Sequence, residues 1–249
     1  MTAWLGFGCL LISFSPTLVI FFRVIASDPL RVILFVLGAF FWLISLLLSA
    51  LIWYIIVPLR NVLAFSVFVS IAFQELARLI HFILLKKAQR GLSQVAASGM
   101  HISGVHTLHH ARHILAIVCG LGMGFMAALF LIVNVIADFW GKGTVGLPTT
   151  VPQMSYQFSV KLYAEDQTLP LTSSVSACLL TMFHVTWTII LWDGCHKKGL
   201  KSNWWIEIVL AVASHYVVSG LVSNNYFFNY FLISLSYDLY FFSPYFWFS

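Results

Sequence analysis

Charge is what this chain has least of. Asp, Glu, Lys and Arg make up 8% of its 249 residues, where soluble domains carry about a quarter. With 61% of residues hydrophobic, no soluble fold could hide the apolar surface, which excludes an ordinary water-soluble enzyme or binding domain. Cysteine is sparse as well. Cys9, Cys119, Cys178 and Cys195 form no CxxC or Cys/His ligand pattern, so they are expected to be small core residues with no disulfide. The net charge of +5 comes from scattered basic residues, with no basic face and no aromatic-basic motif, so no nucleic-acid partner is expected. No Lys or Arg precedes Arg23. The basic n-region of a cleaved leader is therefore lacking, and Met1 to Ile25 is expected to be a membrane span.

What the chain does have is long apolar runs. A helix crosses the hydrocarbon core with about 20 mainly apolar residues, and seven such spans are predicted, at about 2–25, 30–57, 62–85, 113–138, 171–192, 204–223 and 226–248. The expected fold class is all-α, one polytopic membrane helical bundle over residues 1–249 with the lipid bilayer as its solvent. Pro16, with Ser13 and Ser15, is expected to kink span one. Asp28 before Pro29 predicts the start of span two, as N-cap and first helical residue. Lys86 to Arg112 and Gly141 to Pro170 read as polar connections. Asp238 and Pro244 interrupt the last run.

Orientation follows from the basic residues. With an extracellular or lumenal N-terminus, the cytosolic connections hold Arg23, Arg31, Lys86, Lys87, Arg90, Arg112, Lys197, Lys198 and Lys201. The outer ones hold only Arg60, Lys142 and Lys161, and Arg78 lies inside span three. Nine against three satisfies the positive-inside rule, and seven spans then put the C-terminus in the cytosol.

Span four carries the clearest packing signal. Gly120, Gly124 and Ala128 recur every four residues, so one helix face holds almost no side chain, and in lipid such a face admits another helix closely. We expect helix packing and assembly to run through these residues, with a partner helix lying against them.

Five other sets of residues are candidates for chemistry. His184 and His215 lie mid-span in five and six, where ionisable residues are functional candidates; the favoured reading is a pair of buried, hydrogen-bonded histidines that fix helix packing. An aspartyl protease needs two facing carboxylates, and Asp138, Asp193 and Asp238 offer no such pair in a GxGD setting. Ser219 one turn after His215 lacks the setting of an intramembrane serine nucleophile. His106, His109, His110 and His113 have spacings that could bind a metal on a helix, yet without Cys or carboxylate partners a solvated face is the better reading. Glu75, Arg78 and His81 read as a paired polar stripe facing the bundle interior. No catalytic residue, metal or cofactor is expected.

Several blocks resemble one family: FGC at 7–9, DPLRVI at 28–33, GAFFWLISLLLSA at 38–50, FQELAR at 73–78, LLKKAQRGL at 84–92, VNVIAD at 133–138, HVTWTIILWDGC at 184–195 and SHYVVSGL at 214–221. Together, and in this order, they are similar to the anterior-pharynx-defective subunit of gamma-secretase, from about Phe7 to Asn224. The resemblance implies a seven-span scaffold that assembles with a presenilin-like catalytic subunit, a nicastrin-like subunit and a presenilin-enhancer subunit. It also implies cleavage by that complex of type I membrane proteins such as Notch, in the endoplasmic reticulum, Golgi and plasma membrane, with the catalytic aspartates in presenilin. The family's glycine motif maps onto Gly120 and Gly124, with Ala128 in place of a third glycine, and its two membrane histidines map onto His184 and His215. The alternative from another class is a small transporter or channel, with the histidines and the Glu75/Arg78 stripe lining a polar path. No repeat between the halves of the chain supports it.

Overall fold

The computed structural model describes residues 3–56, 58, 63–97, 112–140, 169–198, 200 and 202–223. Among the described residues there are six helices and no strand. They are α1 (Ala3–Ile20), α2 (Pro29–Ile55), α3 (Leu63–Ala97), α4 (Arg112–Trp140), α5 (Leu169–Lys197) and α6 (Trp204–Ser223). Five have the length and apolarity to cross a membrane, and the apolar stretch of α6, Trp204–Gly220, is shorter. The seventh predicted span, 226–248, lies outside the described residues.

Helix starts follow local chemistry. Asp28 caps α2 by accepting from the Leu30 amide at 3.0 Å, with Pro29 at the first helical position. Arg31 then pairs with Asp28 at 3.3 Å and donates to the Val24 carbonyl at 2.7 Å, which fixes the α1–α2 turn from both sides. In α1, Pro16 sits inside the helix, and the next turn widens into a π-helical segment, Phe21–Ile25. The Ser13 hydroxyl donates to the Cys9 carbonyl at 2.8 Å and lies 3.3 Å from the Ser174 carbonyl of α5.

Two helices outrun their predicted spans. α3 has 35 residues, about 52 Å at 1.5 Å per residue, against a hydrocarbon core of about 30 Å. The segment from Lys86 to Ala97, read as connection, is therefore helix. Lys, Ala, Gln, Arg and Leu are good helix formers, and the one glycine there, Gly91, does not break the helix. α5 likewise runs through Asp193 and Gly194 to Lys197, and Gly194 packs closely on the start of α6.

α4 is the axis of the bundle. Leu115, Val118, Cys119, Leu121, Met123, Ala127, Ala128 and Ile132 are all buried, and α4 packs chiefly on α5 and α2, with α1 against α5, α3 against α2 and α6 against α5. Close approach on two sides makes this possible. A methyl group at Gly120 would lie 2.8 Å from the Val185 Cα, and one at Gly124 would lie 2.8 Å from the Thr181 Cα and carbonyl oxygen. On the opposite side a methyl at Gly122 would overlap the Phe35 carbonyl of α2, and one at Gly38 of α2 would overlap the Cys119 carbonyl. Buried Leu34, Gly38, Trp42, Ser45 and Ser49 line one face of α2, while Ile33, Val36, Phe40, Leu47 and Leu51 are exposed on the others. An apolar exterior of this extent is the surface of a protein solvated by lipid.

Glycine substitutions separate these close approaches from ordinary helix propensity. Gly122→Ala and Gly38→Ala should each lower stability by about 1–3 kcal/mol, the cost of overpacking. Gly8→Ala and Gly91→Ala, where an added methyl meets nothing within 4 Å, should be neutral or gain up to about 1 kcal/mol from propensity. Thermal unfolding in detergent checks the ranking.

Candidate functional site

The charged residues of α3 meet the histidines of α5 and α6 inside the bundle. Gln74, Glu75, Arg78 and His81 follow each other at helical spacing, and all four are buried. Arg78 is 0% exposed, His184 1% and His215 2%. Arg78 Nη1 pairs with Glu75 Oε1 one turn earlier. Its second terminal nitrogen, Nη2, lies 2.5 Å from His184 Nδ1. His215 Nδ1 lies 2.5 Å from the same Glu75 oxygen and 3.5 Å from Arg78 Nη1.

These contacts assign the protons. A guanidinium only donates, so His184 Nδ1 accepts and its ring proton sits on Nε2. An ionised carboxylate only accepts, so His215 Nδ1 donates. The two imidazoles, 5.6 Å apart between centroids, therefore serve opposite ends of one ion pair. Trp187 of α5 supports them: it stacks on His215 with centroids 3.9 Å apart, meets His184 edge-on, and lies 5.5 Å from the Arg78 guanidinium carbon. Its indole N–H donates to Ser214 Oγ at 3.0 Å.

His81 does not join this network. It stacks on Phe41 of α2, meets Trp192 of α5 edge-on, and has Nε2 3.4 Å from Cys119 Sγ of α4. The expected single stripe is thus split into a charged layer at Glu75/Arg78 and an aromatic layer one turn later. Beside the charged layer, in the half of the bundle away from Arg23, Lys86 and Lys197, lies a cavity of about 410 Å³. Trp42, Gln74, Ala127, His184, His215 and Ser219 contribute to its lining.

The remaining predicted residues fall as follows. Gly120 and Gly124 lie against α5, and the Thr181 hydroxyl lies 3.3 Å from the Gly124 carbonyl. Ala128 is buried with Ile132, Ala177 and Phe14. The expectation that this face takes a partner's helix is corrected in one respect: the chain's own α5 fills it, with Val185 and Thr188 seated on Gly120 and Thr181 and His184 on Gly124. Asp193 pairs with Lys197 at 2.7 Å, and Lys197 reaches Glu207 at 2.5 Å, which closes the α5–α6 turn. His113 is exposed at the start of α4. His106, His109, His110 and Asp238 lie outside the described residues, and the described residues contain no group of three or more His, Cys, Asp and Glu able to hold a metal ion. The four cysteines are free thiols.

Sequence reasoning missed Trp187 and Gly38, the approach of Gly122 to α2, and that Arg78 is the hub. A signal for the last existed: Arg78 is the one basic residue well inside a span, and an intramembrane cation requires a named partner.

The network's energetics can be separated by substitution. Removing one member of a buried ion pair costs about 3–5 kcal/mol, whereas a neutral hydrogen bond in a membrane is worth about 0.6 kcal/mol. Glu75→Gln should therefore lower thermal stability in detergent far more than Thr181→Val. The double variant Glu75→Leu with Arg78→Leu should be less damaging than the two single losses added together.

Comparison with known proteins follows the same elements. A family model described as Aph-1 protein matches residues 4–247, past Asn225, where the resemblance read from motifs ended. Gamma-secretase subunit aph-1 of Caenorhabditis elegans is 47% identical over 225 residues, covering 89% of this chain and 71% of that protein. Gamma-secretase subunit Aph-1b of Danio rerio is 36% identical over 234 residues, covering 90% and 80%. Gamma-secretase subunit Aph-1 of Drosophila melanogaster is 36% identical over 219 residues, covering 88% and 80%. Since the matched range takes in all of α2 to α6, including the Arg78 network and both glycine faces of α4, the chain belongs to the Aph-1 family.

Proposed function

We propose that the chain is a non-catalytic scaffold subunit of a gamma-secretase-type intramembrane protease. The observation that carries this reading is the collinear likeness, over nearly nine-tenths of the chain, to proteins named gamma-secretase subunits. The proposed partners are a presenilin-like catalytic subunit, a nicastrin-like subunit and a presenilin-enhancer subunit. The proposed setting is the endoplasmic reticulum, Golgi and plasma membrane, with seven spans, an outer N-terminus and a cytosolic C-terminus. Cleavage of type I membrane proteins such as Notch belongs to the assembled complex and its catalytic aspartates to the partner.

The chemistry of the interior supports holding over bond-breaking. Glu75, Arg78, His184 and His215 are engaged with one another, so their charge is spent on joining α3, α5 and α6. Gly120, Gly124 and Ala128 act in assembly by setting the spacing of α4 and α5, and thus the shape of the surface offered to partners. The cavity beside His184 and His215 is the part of the bundle into which an end of a partner chain would fit.

Co-expression of the tagged chain with the other three subunits, in cells lacking their own relative of it, tests the reading. The wild type should co-purify all three and restore cleavage of a Notch-type substrate, and Gly124→Leu should reduce both at least tenfold. His215→Asn should retain substantial activity where His215→Leu loses assembly. A chain that co-purifies none of the three, or that cleaves substrate or moves solute alone in liposomes, would refute the proposal.

A further inference from the structure

A second cavity, of about 700 Å³, lies between α3 and the α5–α6 turn, apart from the charged network. Its volume is within the range of sites that hold small organic ligands. The inner wall is apolar, formed by Leu79, Phe82 and Ile83 of α3 with Trp204 and Ile208 of α6. The rim is basic, formed by Lys86, Lys87 and Arg90 of α3 with Lys198 of the turn. Among the described residues no carboxylate lines it.

Two features fix what such a cavity suits. Among the described residues the nearby acids are committed elsewhere, Asp193 and Glu207 to Lys197 at 2.7 and 2.5 Å, so they leave the positive charge of Lys86, Lys87 and Lys198 facing the cavity. The cationic and apolar parts are also contiguous. Lys86 Nζ lies 5.6 Å from the Phe82 ring centroid and Lys198 Nζ 5.3 Å from that of Trp204, and both rings belong to the wall. Ile83, on the wall, is 60% exposed, so the apolar surface continues outward to where lipid tails lie. The apolar stretch of α3 ends at Gly91, which sets Lys86 and Lys87 near the level of the headgroups.

We propose that this cavity binds one anionic glycerophospholipid. Lys86, Lys87 and Lys198 hold its phosphate, and an acyl chain runs along Leu79, Ile83 and Ile208. A free phosphate ester would leave the apolar wall in contact with water. A choline headgroup would bring a further cation beside Lys86, Lys87 and Lys198. Basic pockets between membrane helices select anionic headgroups for this reason.

Native mass spectrometry of the full-length chain in neutral detergent tests the site, with phosphatidylinositol, phosphatidylcholine and glycerophosphoinositol as probes. One phosphatidylinositol should be retained in preference to phosphatidylcholine, and a hundredfold excess of glycerophosphoinositol should not displace it. Replacing Lys86, Lys87 and Lys198 together with Gln should weaken retention about fivefold per lysine, while the triple Arg variant should retain it. Should the Gln variant not fold, the wild type decides: salt must weaken phosphatidylinositol and leave phosphatidylcholine unchanged. Equal retention of the two lipids, unchanged binding by a folded Gln variant, or displacement by the soluble headgroup would each overturn the proposal.

Discussion

A guanidinium with no exposed surface sits midway along α3, and neutralising it constrains most of what surrounds it. Moving an ion out of water costs several kcal/mol even after the protein relaxes, and hydrocarbon offers nothing in return. Glu75 meets Arg78 from the preceding turn, but one carboxylate oxygen cannot satisfy all the donors of a guanidinium. His184 on α5 accepts from the second terminal nitrogen, and His215 on α6 donates to the Glu75 oxygen that completes the pair. One polar layer therefore holds α3 to the α5–α6 pair, more than a hundred residues away in sequence. Their depth is set as well, because sliding any one of them by a turn would strand a charge in an apolar interior.

That layer can form only because the helices approach closely enough. α4 lies between α2 and α5, and glycines on its two sides remove the side chains that would keep them apart. In lipid, van der Waals contact over small residues replaces the hydrophobic force that packs soluble cores. Gly120 and Gly124 bring in α5, which carries His184, while Gly122 and Gly38 bring in α2, against which α3 packs. Small residues and charged residues thus act in sequence: the first set the distances and the second fix the register.

Much of this architecture was legible in the residues themselves. Apolar runs located the described helices, and Asp28 with Pro29 marked the start of α2, because length and capping are local properties. The every-fourth-residue pattern of Gly120, Gly124 and Ala128 showed that a face was clear. It could not show what fills that face, which depends on where α5 folds back. Gly122 lies off the every-fourth-residue face and Gly38 stands alone in its span, so their meaning appears only when the two helices touch. The extension of α3 to Ala97 was hidden by its polarity, which reads as connection in a membrane chain although its residues favour helix in water. Among the polar residues, Glu75 with Arg78 and His184 with His215 stood out as two separate pairs, and the joining of the two across more than a hundred residues is a tertiary fact. His81 looked like one of them by spacing, and the presence of Phe41, Cys119 and Trp192 beside it decided otherwise.

The opposed roles of the two membrane histidines give the most direct test of the Arg78 hub. Nitrogen NMR of ¹⁵N-histidine-labelled chain in micelles, assigned with single His→Gln variants, reports which ring nitrogen carries the proton. The expected result is an unprotonated Nδ1 at His184, accepting from Arg78, and a protonated Nδ1 at His215, donating to Glu75. A protonated Nδ1 at His184, or an unprotonated one at His215, would mean that the guanidinium is neutralised elsewhere and that the three helices are not held by this layer.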